Sequence, residues 1–251
     1  MRRRFNGTMS RFVVYDTALT QSEISSVVSG TTPSAKPGAV QAHLIQKSVM
    51  SRGANPTVPY RISWAQGTCP AGSTYTVTVT TRGSSTVPFA GTALSTTINL
   101  AVGASYTIAV DCGGESSADR FTSTVFQEGA ATYTGTWQTT RSAGAWGGTA
   151  KYATAALASA SFHCASCQAI AWVTDEDSAH GSAKVYIDGV LKATINTHSS
   201  STMNRVIAYK FEWASDGAHT LKIVNVATHG HPRTTVDGFL TRSSRSAGTG
   251  P

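Results

Sequence analysis

The sequence predicts an all-β protein: two tandem antiparallel β-sandwiches behind a short N-terminal strand-helix remnant. Apolar and polar residues alternate over strand-length windows through most of the chain, and Gly and Pro punctuate the windows. Asp188-Gly189 and Asp216-Gly217 each lie between two alternating runs, where a type I′ hairpin turn needs two positive φ angles. Only 13% of residues are charged, and Ser, Thr, Ala and Gly are abundant, unlike a helix-rich cytosolic enzyme. At 251 residues the chain is long enough to divide into two cores.

Residues 1–30 hold the first element. A strand at Arg11–Tyr15 turns at Asp16 into a short helix, which Thr20 and Glu23 open as an S/T-x-x-E capping box. This order, strand, Tyr-Asp, Ala-Leu-Thr and a Glu-Ile helix, resembles the last strand and closing helix of laminin-G-like (concanavalin-like) domains. That family's calcium and sugar positions fall outside the matching stretch. The resemblance therefore implies only that the chain is part of a larger multidomain protein. Residues 31–40, TTPSAKPGAV, are an aperiodic linker.

Residues 41–128 carry the alternating runs VPYRISWAQ, STYTVTVTTRG, TTINLAVG and SYTIAVDCGG, as an antiparallel sandwich requires. Trp64 is placed to fill its core. Leu100, Gly103 and Tyr106 have the L-x-x-G-x-x-Y spacing in which a tyrosine hydroxyl bonds back to the chain at a sheet corner. With Ile62-Ser63-Trp64 and Tyr75, the segment resembles a fibronectin type III domain. The resemblance implies a spacer in which Trp64, Tyr75 and Tyr106 are structural. No RGD-like integrin motif is present.

Residues 129–243 predict a sandwich of about eight strands, with Phe162, Ile170, Val185, Ile187, Leu191, Ile195, Leu221, Ile223 and Val236 as its core. The order W-x8-W-G-G-x3-Y, AWV, KVYIDGVLKATI, HTLKIV and TTVDGFL resembles the galactose-binding-like jelly-roll modules of bacterial secreted, surface and phage-tail proteins. Such modules sit in very different parent proteins, so the resemblance implies fold more than ligand. Residues 244–251 are expected to be a disordered tail.

The four cysteines fall into two pairs. Cys69 and Cys112 flank strands of one domain, and a bridge between them contributes about 3–4 kcal/mol. Cys164 and Cys167 form a CxxC. A redox dithiol wants a helix N-terminus there, and both flanks read as strands. A zinc site wants a second CxxC or a HxxxH, and a c-type haem wants His after the second cysteine; neither pattern occurs. The expectation is a disulfide stapling a strand-to-strand turn, which places the chain in an oxidising, extracellular or cell-surface setting.

Sugar binding needs flat aromatic surface and planar polar side chains. Trp137, Trp146 and Tyr152 lie in a Gly-rich stretch. Trp137 and Tyr152 either plug the sandwich ends or stand exposed, while Trp146, beside Gly147 and Gly148, is expected to be an exposed platform. Trp172 and Trp213 sit within alternating strands and read as core. Asp175, Glu176 and Asp177 form the densest acidic cluster. It reads as a solvated turn or, through Asp175 and Asp177, as a calcium site, because calcium takes oxygen ligands from loops. Neighbouring residues on one loop cannot straddle a sugar as a glycosidase pair does. His229 and His231 are two apart and would share a strand face, but no third metal ligand can be named. No G-x-S-x-G elbow occurs.

The formal charge of +7 arises partly from terminal arginines, so a nucleic-acid footprint on one folded face is not expected, whereas attraction to anionic cell-wall polymers is. No apolar run of membrane-spanning length occurs, so membrane insertion by a helix is not expected, and the N-terminus lacks the apolar stretch of a secretory leader. Three functions follow. The first is a non-catalytic extracellular module presenting its jelly roll to a polysaccharide or cell-surface glycan. The second is a structural stalk of a surface or phage-tail protein. The third is an accessory fragment of a secreted glycoside hydrolase.

Overall fold

The computed structural model describes residues 18–21, 24, 25, 34–53 and 55–246. The expected strand at Arg11–Tyr15, Glu23 of the capping box and the last residues of the tail lie outside them.

The chain first forms β1 (Val40–Leu44), β2 (Thr57–Trp64), β3 (Tyr75–Thr81), β4 (Ser84–Gly91), β5 (Ser95–Ala101), β6 (Ala104–Asp111) and β7 (Ser116–Gln127). Strands β1, β2 and β5 make one sheet, in the order β1-β2-β5. Strands β4, β3, β6 and β7 follow one another in the sheet facing it. Alternation decides what is buried: Val58, Tyr60, Ile62 and Trp64 of β2 meet Val77 of β3 and Ile108 and Val110 of β6 in the core. The Tyr106 hydroxyl donates to the Ala101 carbonyl at 2.9 Å, the corner bond that the spacing predicts. Cys69 and Cys112 are bridged. Strand β4 ends the sheet and contains Pro88 at a register shift, a position where no ladder N–H is needed.

The rest of the chain forms β8 (Thr132–Thr134), β9 (Gln138–Arg141), β10 (Thr149–Ala153), β11 (Ser159–Glu176), β12 (Ser182–Ile187), β13 (Val190–Asn196), β14 (Met203–Asn225), β15 (Thr234–Val236) and β16 (Gly238–Ser244). The β12–β13 hairpin turns at Asp188-Gly189 with φ of 50° and 79°, the type I′ geometry. Asp216-Gly217 makes no hairpin. Strand β14 runs through it for 23 residues, because β11 is long enough to pair with it on both sides of these residues. The register shifts twice here. Strand β11 has one extra residue between Cys164, opposite His219, and Cys167, opposite Gly217; β14 has three extra residues between Gly217 and Glu212, which is opposite Ala169, so Asp216 lies in an irregular stretch of β14. The Cys164–Cys167 disulfide therefore staples a bulge within one strand and not a turn between two. Of the predicted core, Leu191 is 49% exposed and Ile195 is half-buried, since β13 is the outermost strand of its sheet; the other seven are buried.

One sheet runs through both sandwiches. Strand β7 pairs with β6 along one edge and with β16 along the other, in register from Gly238–Gln127 to Ser244–Phe121. Strand β16 then pairs with β11. Ala169, Ala171 and Val173 of β11, Ile207 of β14 and Leu240 of β16 consequently join the first core, while Ile170, Trp172 and Phe239 join the second. Burial on both faces is why β11 contains the uninterrupted apolar run Ala169–Val173. Across the junction, the Lys47 N–H donates to the Ile207 carbonyl at 2.7 Å, and the Ile207 N–H donates to the Ser48 carbonyl at 2.8 Å. Lys47 also forms an ion pair with Glu176, whose side chain is 5% exposed.

Candidate functional site

Trp146 opens a 3-10 turn, Trp146–Gly148, in which Gly147 has φ 66° and Gly148 φ 85°. The turn folds the indole down onto the protein. Its ring is half-buried against the first core, and its backbone N–H donates to Asp237 Oδ1 at 2.8 Å. Trp146 is thus a packing residue and not the open platform expected from its glycine neighbours. Trp137 is half-buried against the second core, edge-on to Tyr133 at 4.9 Å, with Nε1 donating to the Thr134 carbonyl at 3.2 Å. Tyr152 is half-exposed, but the Arg233 guanidinium covers its ring at 4.3 Å and its hydroxyl donates to Gln138. Register brings Tyr152 opposite Gln138, next to Trp137; it does not unite the three rings in one platform.

The acidic cluster is divided by strand alternation. Glu176 turns to Lys47. Asp177 accepts from the Ala179 N–H at 2.8 Å and is bonded to His180 Nδ1 at 2.6 Å. Burial raises its carboxyl, but these hydrogen bonds outweigh that and hold it below the ordinary carboxylate range. Asp175 accepts from the Arg205 N–H at 3.4 Å, and burial pushes its carboxyl up. With opposite environments and their oxygens separately engaged, Asp175 and Asp177 do not form the calcium pair expected. Among the described residues, no three His, Cys, Asp or Glu side chains are arranged to hold a metal ion. His231 does not pair with His229; it packs on His198 at 4.2 Å and bonds to the Ser178 carbonyl at 2.6 Å.

A different oxygen set lies at the junction. Asp237 is fully buried between β15 and β16, and its Oδ2 has no hydrogen-bond partner among the described residues. Burial, with Asp175 nearby, pushes its carboxyl up to about 8. Glu128, 7% exposed, accepts from Thr149 Oγ1 at 2.7 Å. The Gln127 amide lies 3.1 Å from Glu128 Oε2 and 3.0 Å from the Trp146 carbonyl. Its nitrogen donates to both, and its oxygen accepts from Trp146 Nε1 at 2.6 Å. Glu128 and Asp237 are thus buried carboxyls whose surroundings are closed by hydrogen bonds from Gln127, Thr149 and Trp146. The chain closes tightly here: a Cβ on Gly238 would stand 2.5 Å from the Phe126 carbonyl oxygen.

An open groove lies elsewhere, on the outer face of β12 and β14. A groove of about 660 Å³ is lined by Leu157, Tyr186, Asp188, Thr220, Lys222 and Val224. Tyr186 stands opposite Lys222 in register and is half-exposed. Leu157 is 80% exposed and has φ 66°, a backbone conformation uncommon for a bulky side chain. Asp188 forms the groove's polar end: Oδ1 accepts from the Thr220 N–H at 2.8 Å, and Oδ2 is bonded to His219 Nδ1 at 2.8 Å. His219 in turn stacks on Trp213 at 3.5 Å; Trp213 packs against the edge of the second core and is half-buried, not enclosed as expected of a core residue. The signal for Tyr186 was in the sequence. Val185 and Ile187 face the core, so the residue between them must face outward.

No protein-family model matches the chain. A curated relative, the A type blood N-acetyl-α-D-galactosamine deacetylase of Flavonifractor plautii, is 30% identical over 95 residues, covering 38% of this chain and 12% of that protein. Among solved structures, the Agl-KA catalytic domain has a TM-score of 0.38 at 14% identity, covering 51% of this chain and 29% of its own. The CBM36-1 domain of a multidomain xylanase from the hindgut metagenome of Trinervitermes trinervoides has a TM-score of 0.34 at 18% identity, covering 51% of this chain and 99% of its own. The exo-β-1,3-galactanase of Phanerochaete chrysosporium has a TM-score of 0.35 at 8% identity, covering 77% of this chain and 56% of its own. The strands and their pairing make this chain an all-β protein of antiparallel sandwiches, with an open sheet face and a buried carboxylate cluster as its chemically distinctive places.

Proposed function

We propose that this chain is a non-catalytic, extracellular carbohydrate-binding module that takes a polysaccharide or cell-surface glycan on the outer face of its second sandwich. The observation that carries this reading is Tyr186, a half-exposed ring on a flat sheet face, with Leu157 extending the apolar surface and Asp188, Thr220 and Lys222 around it. A pyranose offers an apolar C–H face to such a ring and hydroxyls to such neighbours. The relative from Flavonifractor plautii, named for a sugar deacetylase, supports a glycan context. The two disulfides support an oxidising compartment. A non-catalytic role is supported by the engagement of Glu176 with Lys47, Glu212 with Lys210, and Asp177 and Asp188 in hydrogen bonds with His180 and His219. The sheet shared by both sandwiches favours a second reading, a rigid stalk of a larger surface protein that binds nothing small.

A glycan array probed with the full chain, Tyr186→Ala and Trp146→Ala separates the two. The module reading expects glycan signals that Tyr186→Ala weakens by about tenfold or more, as loss of an interface anchor does, and that Trp146→Ala leaves in place once folding is matched by circular dichroism. Equal signals from wild type and Tyr186→Ala remove the groove from the proposal, and no signal from any protein leaves the stalk.

A further inference from the structure

We propose a second ligand site, on the first sandwich, that binds the anionic groups of an acidic polysaccharide. A groove of about 500 Å³ lies between the β3–β4 turn, the β5–β6 turn and the residue that follows β16. Arg82 and Arg245 flank it, and Thr80, Thr81, Ser105 and Thr107 supply hydroxyls. No carboxylate is among its lining residues, and neither arginine forms an ion pair among the described residues. Two guanidinium groups without an ion-pair partner give the groove a positive potential that an anionic ligand would neutralise. Their planar forks match the oxygens of a carboxylate or sulfate group.

The backbone holds these groups in place. Arg82 and Gly83 form the β3–β4 turn with φ of 47° and 77°, where a type I′ turn ordinarily takes Asn or Asp before Gly. An arginine there brings no conformational advantage, and its side chain lines the groove. The Arg245 N–H donates to the Arg120 carbonyl at 2.8 Å, which ties the main chain of the second arginine to β7 beside the groove. Thr81 Oγ1 is buried without a hydrogen-bond partner among the described residues. Thr80 and Ser105 each make one hydroxyl–hydroxyl bond, at 2.8 Å, and retain capacity for another. No aromatic ring lines the groove, so recognition rests on the anionic groups and hydroxyls of the ligand and not on ring stacking, and a single-stranded nucleic acid would lose its base-stacking contacts here. This site is independent of the Tyr186 groove and does not rest on it.

The test is isothermal titration of the full chain with heparin, polygalacturonate and neutral dextran, at low and at high salt, with a single-stranded oligodeoxynucleotide as competitor. Binding of heparin or polygalacturonate but not dextran is expected, weakening as salt screens the charges. Arg82→Asn, which suits the left-handed turn, and Arg245→Ala should each weaken that binding by about tenfold, with melting temperature unchanged. Tyr186→Ala should leave it intact, so failure of the first site and of this one are read separately. Equal binding of dextran, wild-type affinity in both arginine variants, loss of binding in Tyr186→Ala, or an oligonucleotide that binds more tightly than either acidic polymer would each overturn the assignment.

Discussion

Leu240 belongs by sequence to the second sandwich and by packing to the first. It lies in β16 between Val125 of β7 and Ala171 of β11, is fully buried, and faces the core built by Tyr60, Ile62 and Ile108. Truncating a fully buried leucine to alanine removes its transfer free energy and leaves a cavity, costing about 3 kcal/mol within the usual range for Leu→Ala. At about 1.4 kcal/mol per tenfold in an equilibrium constant, that is about a 100-fold rise in the unfolded population. If the shared sheet makes one cooperative unit, the loss is felt throughout. Native-state hydrogen exchange gives the measurement. In Leu240→Ala, the slowest amides of β6, at Ile108 and Val110, and of β12, at Val185 and Ile187, should accelerate by the same factor of about 100. Acceleration confined to one of the two strands would refute the claim that the sandwiches unfold together.

Two further outcomes follow from charged groups near the junction. Burial raises the Asp237 carboxyl from 3.8 to about 8, so its contribution to stability is present below the unfolded value and lost as pH rises through the folded one. The urea midpoint of the wild type should fall between about pH 4 and 8 more than that of Asp237→Asn, and matching profiles would remove Asp237 from this role. Burial raises the Glu212 carboxyl, but hydrogen bonds from His43 and Lys210 outweigh burial and hold it below its ordinary value of 4.5. A carboxyl depressed in the folded state contributes stability that is present above the unfolded value and lost as pH falls through the folded one. The urea midpoint of the wild type should therefore fall more steeply than that of Glu212→Gln below about pH 4.5, and parallel acid limbs would count against this role for Glu212.

Local pattern made the strand-by-strand fold legible. Alternation located β2, β3, β5 and β6, the L-x-x-G-x-x-Y spacing gave the Tyr106 bond, and Asp188-Gly189 gave the β12–β13 turn. Strand β4 was silent because Ser84–Gly91 lies at an edge with most side chains exposed, which leaves no period to read. The pairing of β16 with β7 joins residues more than a hundred positions apart, and alternation along each strand is the same whichever neighbour it takes. The unbroken run at Ala169–Val173 was the one trace of it, since only a strand buried on both faces has no polar alternate. Asp216-Gly217 misled because turn chemistry permits a hairpin without requiring one when a long partner strand is present. At the sites, Trp146 looked exposed because its glycines imply an open loop, yet the same glycines let the turn fold flat. Asp237 and Glu128 could not be joined from sequence, as only tertiary packing brings them to one place.

The shared sheet also governs how a long polymer would meet this molecule. Two surfaces joined by a flexible tether must first find a compatible orientation, and the tether's conformational freedom is lost when both engage. Here seven backbone pairings between β7 and β16 set the separation and relative angle of the Tyr186 face and the Arg82 groove in advance. A chain of matching length that touches one meets the other at a high effective concentration, and one of the wrong pitch cannot reach both. The junction would then act as a ruler, selecting ligands by the spacing of their features as well as by their chemistry.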